Sequence, residues 1–212
     1  AECVDWGLDD LVPNDEIDAW SAQMLPATGG PVSPMAKSAS LLTGLIQLDR
    51  EIRVAGLVFV ASAYPAANKA TLSGTTQWSD FTNSNPVDAI LTGLDVPLFR
   101  PNALVFGQAT WSKLRQHPKM VQAVMGTSQT SGAITRQMAA DLFEVQQIIV
   151  GASFANTARK GQTPSYSRVW GKHCAALYIS PDAANADQPT FGFTAQFGTR
   201  IAGEHRLHRL QA

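Results

Sequence analysis

The one place where two reactive side chains adjoin in this chain is His173-Cys174. A cysteine hydrolase needs its base within hydrogen-bonding reach of the thiol. The pair lies in an apolar run that reads as a strand, where adjacent side chains face opposite sides, so the imidazole cannot serve the thiol. For a serine nucleophile the chain lacks a G-x-S-x-G elbow. His117 precedes Pro118 at a helix break without a carboxylate or second histidine at ligand spacing, which predicts a solvent-facing helix end. His205 and His208, three apart, could share a metal on one helical face, but no third ligand is near them in sequence. Gly192, Gly198 and Gly203 match neither a Walker loop nor a dinucleotide fingerprint. The carboxylate pairs Asp9-Asp10 and Asp15-Glu16 sit in a segment with little to bury them, whereas a catalytic acid needs burial to raise its pKa. Cys3 and Cys174 are far apart and show no metal-ligand spacing, which indicates neither a disulfide framework nor a zinc site. The expectation is a chain that is not an enzyme, with no catalytic, cofactor-binding or metal-binding residues.

Composition agrees with an ordinary folded protein. A hydrophobic fraction of 45% against 16% charged residues predicts a folded chain, and 212 residues suffice for one large domain or two small ones. The net charge of -1 gives no overall field to draw in nucleic acid or an anionic membrane. No apolar run approaches the length needed to span a bilayer, and the start is acidic where a signal peptide is basic. Charge is uneven along the chain. Seven acids, Glu2, Asp5, Asp9, Asp10, Asp15, Glu16 and Asp18, precede the first base, Lys37, and Arg200, His205, Arg206, His208 and Arg209 make a basic tail. Solvated ends and complementary contacts between subunits both fit this pattern.

The elements follow from apolar spacing. Residues 1–35 are acidic, then rich in Pro, Gly and Ser, and read as an arm without a long regular element. Leu41, Leu45, Leu48, Ile52, Ala55 and Phe59 recur at four and three, which predicts one long helix over 36–63, ended by Pro65. Such a helix needs a sheet or a neighbouring subunit to pack against. Residues 68–73 read as a short strand, Asn85-Pro86 opens a short helix, and 103–106 read as a buried strand. Helical runs follow over 110–116 and 119–124, then from the cap Thr135 through Phe143. Strands are expected at 146–150, 168–179 and 190–197. The fold class is α+β. Trp78, Phe81 and Trp170, placed near turns, are either core residues or aromatics of a protein interface.

Four longer blocks carry a resemblance. LDREIRVAGLVFVASAYPAANKATLSGTTQWSD (residues 48–80) resembles the stretch of tailed-bacteriophage major capsid proteins in which a long helix leads into K-x-T-L-S-G-T-x-Q-W-S-D. RPNALVFGQATWSKLRQHPK (100–119) is similar to that family's R-P-N strand, helix and H-P-K. VGASFANTARKGQTPSYSRVWGKHCAALYISP (150–181) and TFGFTAQFGTRIAG (190–203) are similar to its later blocks.

The resemblance implies the Hong Kong 97-type capsid fold. In that fold residues 36–83 and 186–212 form a peripheral-domain part around a spine helix (36–63), residues 84–185 form the axial domain, and residues 1–35 remain an acidic arm. It implies identical subunits joined as hexamers and pentamers around double-stranded DNA held without sequence-specific contacts. Scaffolding, portal or decoration proteins are its further partners, with no membrane and no cofactor. The place is the virion capsid, assembled in the bacterial host cytoplasm. Family members carry an N-terminal arm and extended loop, and further C-terminal strands, that nothing here matches, which points to a processed, truncated or degenerate form. Lys69, Lys160 and Asn156 are residue types that crosslink some such shells, but no motif singles them out. Two alternatives are a capsid-like compartment enclosing a cargo enzyme and a hydrolase using Cys174.

Overall fold

The computed structural model describes residues 7–23, 33–129, 131–159, 161–181, 188–195 and 203. In chain order its regular elements are helices α1 (Asn14–Gln23), α2 (Pro34–Val58) and α3 (Pro86–Asp95), strand β1 (Ala103–Gly107), and helices α4 (Gln108–Leu114), α5 (Pro118–Met125) and α6 (Arg136–Phe143). Strands β2 (Gln147–Gly151), β3 (Phe154–Asn156), β4 (Tyr166–Arg168) and β5 (Cys174–Leu177) complete them, with three short 3-10 turns after α2. The mixed helix-and-sheet class expected from the sequence is what forms.

Local chemistry explains the helix starts. Proline in a first turn loses no intrahelical hydrogen bond, and α2, α3 and α5 each open on one. Thr135 caps α6 by accepting from the Met138 N–H at 3.3 Å. Within the arm, expected to hold no long regular element, the ten-residue α1 forms, and its first turn carries Asp15 and Glu16, where the helix dipole favours anions. The chain divides into two compact units, Ala1–Asp49 with Thr194–Ala212 and Arg50–Phe193. In the first, Ser38 hydrogen-bonds the Asp10 carboxylate.

The second unit is built on a three-stranded sheet in the order β2-β1-β5. β2 runs parallel to β1, with α4, α5 and α6 as the connection between them, and β5 returns antiparallel along the other side of β1. All of β1 is buried because both faces of the sheet are covered. Leu104 and Phe106 face a core made with Leu94, Leu114, Met120 and Phe143. Val105 faces a second cluster with Ala55, Val58, Trp170 and Leu177. Asn102 locks the end of the sheet: its amide donates to the Ile179 carbonyl at 2.7 Å, and its Oδ1 accepts from the Ile179 N–H at 2.9 Å.

Several elements differ from their sequence reading. The long helix stops at Val58, short of the expected 63. There the Tyr64 hydroxyl donates to the Val58 carbonyl at 2.6 Å and so satisfies a carbonyl that the helix end releases, and Lys69 donates to the Ala61 carbonyl of the following 3-10 turn at 3.1 Å. Its apolar spacing also does not mark a buried face. Ala55 and Val58 are buried, while Leu41, Leu45 and Ile52 are exposed. Residues 68–73 form no strand but an irregular link between the 3-10 turns Ala66–Asn68 and Gly74–Thr76, with Thr76 Oγ1 accepting from the Ser73 N–H. The single strand expected over 168–179 is two, β4 and β5, separated by a turn at Gly171. Gly171 has φ +54, a conformation that suits glycine and breaks an extended run. Residues 190–195 form no strand, and 196 and 197 lie outside the described residues.

Candidate functional site

Cys174 in β5 packs against the first core cluster, while the His173 ring lies 5.1 Å from that of Phe59, which packs on the second. The two side chains therefore take opposite faces, as strand alternation requires. Although Cys174 as a residue is only half-buried, desolvation pushes its thiol up to about 12, where almost none of it is thiolate at neutral pH. A thiol so placed packs as a small apolar group.

His117 is not the solvent-facing helix end that Pro118 suggested. It is 0% exposed. Its Nδ1 accepts from the Lys119 N–H at 3.2 Å and so caps α5. Its Nε2 lies 3.0 Å from Ser84 Oγ, and Ser84 donates to the Asp80 carbonyl at 2.6 Å. Both ring nitrogens are committed, so histidine is used here as a core polar group. The turn below it is equally ordered. The Asp80 carboxylate accepts from the Asn83 side chain and from the Asn83 and Thr82 N–H groups, which hold its pKa below the usual value.

Burial pushes the His117 pKa down, with Lys119 adding to the effect and Asp80 opposing it. The unfolded chain thus takes up a proton on acidification before the folded one does, so stability is full above pH 6.5 and is lost as pH falls through that value. The urea midpoint should therefore be lower at pH 5 than at pH 7.5, with this group contributing to the fall. His117→Asn, which keeps an N-cap acceptor, should flatten that part of the slope. An unchanged slope in the variant would assign it elsewhere.

Among the described residues no group of three or more His, Cys, Asp or Glu side chains comes together as a metal site. His205, His208 and Gly198 lie outside the described residues, as does Lys160. Asp9, Asp10, Asp15 and Glu16 are exposed. Asn156 secures its own loop by accepting from the Ala158 and Ser165 N–H groups at 3.1 and 3.0 Å. Among the described residues no helix is long and apolar enough to cross a membrane.

The structure instead collects exposed apolar side chains. Trp170 is buried, its indole N–H donating to Glu51 and its ring edge-on to Phe59, and Trp78 is half-buried. Of the three aromatics flagged in the sequence only Phe81 is exposed, at 37%. The more exposed groups escaped notice. Leu98 is 93% exposed in the segment Pro97-Leu98-Phe99, where the Phe99 ring stacks on Tyr178 at 5.6 Å. Phe191 stacks on Tyr64 at 6.2 Å. Phe154 and Tyr166 stand on the two-stranded hairpin β3–β4, with the Arg168 guanidinium 4.6 Å from the Phe154 ring. An apolar run directly after a helix end and before Pro101 was the available signal for Leu98 and Phe99. Aromatic residues of this kind are enriched at protein interfaces.

No family model matches the chain. It is 41% identical over 199 residues to a protein of Pseudomonas phage JBD67 named as its major capsid protein, an alignment covering 94% of this chain and 62% of that protein. It is 27% identical over 161 residues to the major capsid protein of Burkholderia phage BcepMu, covering 72% of this chain and 50% of that one. The chain thus spans between half and just under two thirds of these relatives' length. A crystal structure of a phage-related protein from Bordetella bronchiseptica RB50 superposes with a TM-score of 0.58 at 26% identity, covering 74% of this chain and 48% of that chain. Over nearly its whole length this chain is similar to a phage major capsid protein.

Proposed function

We propose that the chain is a structural subunit of an icosahedral phage or prophage capsid that encloses double-stranded DNA, and that it is not an enzyme. The observation that carries the reading is the 41% identity to a phage major capsid protein along 94% of the chain. The proposed fold is Hong Kong 97-type, with an acidic arm (1–35), a peripheral-domain part (36–83 and 186–212) and an axial domain (84–185). Identical copies would join as hexamers and pentamers in the virion shell, assembled in the host cytoplasm with scaffolding, portal or decoration proteins, the DNA being held without sequence-specific contacts. The inert Cys174 thiol and the exposed apolar groups support a structural role.

Electron microscopy and light scattering of the protein expressed from its complete gene test this. Closed shells or rings are expected. A strict monomer at high concentration would sink the proposal, and shells filled with an enzyme in place of DNA would favour a cargo compartment.

A further inference from the structure

We infer that the two opposite ends of the β2-β1-β5 sheet are complementary docking surfaces, each occupied by the other end of a second copy of this chain. The inference rests on the shell reading and names surfaces for it. Because β1 and β2 are parallel, ending together at Gly107 and Gly151, the hairpin β3–β4 that follows Gly151 leaves from one end of the sheet. The segment before β1 and the residues after β5 meet at the other end, where Ala103 pairs with Leu177.

At the first end the register sets Phe154 opposite Arg168 and Asn156 opposite Tyr166, so all four side chains share one face of the hairpin, and all four are exposed. From Val145 to Pro181 the sequence has no acidic residue, but it includes Arg159, Lys160, Arg168 and Lys172. Among the described residues the hairpin end carries Arg159, Arg168 and Lys172 beside its aromatic rings, against one acid, Glu51, that the Trp170 indole holds there, so it is net basic.

The second end is its complement. Leu98, Phe99, Tyr178 and Phe191 line a hollow of about 220 Å³. Beside that end Asp95 and Glu144 flank Arg100 at 3.3 and 3.7 Å, with both acids largely exposed and in excess of the one base. Asp95 ends α3 and Glu144 is the C-cap of α6, positions where the helix dipole favours cations. Arg100 alone does not balance the two acids at these helix ends, and the Arg168 end of another copy supplies the further cation. A DNA strand would suit the hairpin but would leave the apolar hollow and its acids unused. A basic end meeting an acidic end is a head-to-tail contact, which propagates or closes into a ring according to the rotation between copies.

Two exposed double variants test the inference by analytical ultracentrifugation, with melting curves to confirm that both remain folded. Arg168→Glu with Tyr166→Ala alters the hairpin, and Asp95→Lys with Glu144→Lys alters the acidic end. Each alone should self-associate at least about tenfold more weakly than the wild type. Their equimolar mixture should give dimers that do not grow, since one intact pair of surfaces remains. Wild-type assembly by either variant would overturn the surfaces while leaving the shell reading intact, and a mixture that stays monomeric would overturn the head-to-tail pairing. A hairpin variant that assembles normally but no longer shifts a short DNA duplex on a gel would make the hairpin a nucleic-acid surface. A wild type monomeric at every concentration would overturn the shell reading and this inference with it.

Discussion

Phe106→Ala is expected to cost about 3–5 kcal/mol of stability, a large part of the roughly 5–15 kcal/mol that holds a domain together. Phe106 is 0% exposed in the central strand, and its ring lies 5.8 Å from that of Trp111. Truncation there leaves a cavity that cannot collapse easily, because neighbours on both sides are fixed by the pairing of β1 with β2 and β5. The urea midpoint should fall far, with Phe106→Leu falling much less. A loss under 1 kcal/mol for the alanine would mean that the sheet repacks freely and that this core is not as drawn.

Gly107→Ala is expected to be nearly as damaging, for a different reason. A Cβ at Gly107 would stand 2.3 Å from the Gly171 carbonyl oxygen and 2.7 Å from that of Trp170. Both are backbone atoms of the turn into β5, and the turn is itself tied back by the Gly107 N–H donating to the His173 carbonyl at 3.0 Å. Relief therefore requires the turn to move, at about 1–3 kcal/mol or more. Gly93→Ala is the matching control. Nothing lies within 4 Å of its added Cβ in α3, so replacing glycine in a helix should raise stability by about 0.4–1 kcal/mol. Melting temperatures that move in the same direction for both variants would contradict this account.

Elements defined by local chemistry were legible in the sequence. Pro86 and the cap Thr135 mark the starts of α3 and α6, and the apolar run at 103–106 falls in β1, because a first-turn proline, a capping side chain and continuous burial leave their mark within a few residues. Features set by distant partners were not. Whether 168–179 is one strand or two depends on a positive φ at Gly171 that a single glycine in an apolar run does not announce. His117 looked exposed because its helix break was visible and the Ser84 hydroxyl 33 positions away was not. The apolar spacing of α2 promised a buried face, yet periodicity cannot say where its cover comes from, and Leu41, Leu45 and Ile52 remain exposed. As to the candidate surface, the basic run over 145–181 was readable from composition, whereas the hollow at Leu98 and Phe99 needed the fold to bring Tyr178 and Phe191 beside them.

The hydrogen bond from Trp170 to Glu51 joins groups 119 positions apart. A ribosome adding about 5–20 residues per second would need roughly 6–24 s to make that interval. Through that time the apolar end of the long helix, with Ala55, Val58 and Phe59, has been made but its cover, Trp170 and Leu177, has not. Until then only Val105 of the sheet has been made to cover that helix end, so the cluster closes late in synthesis.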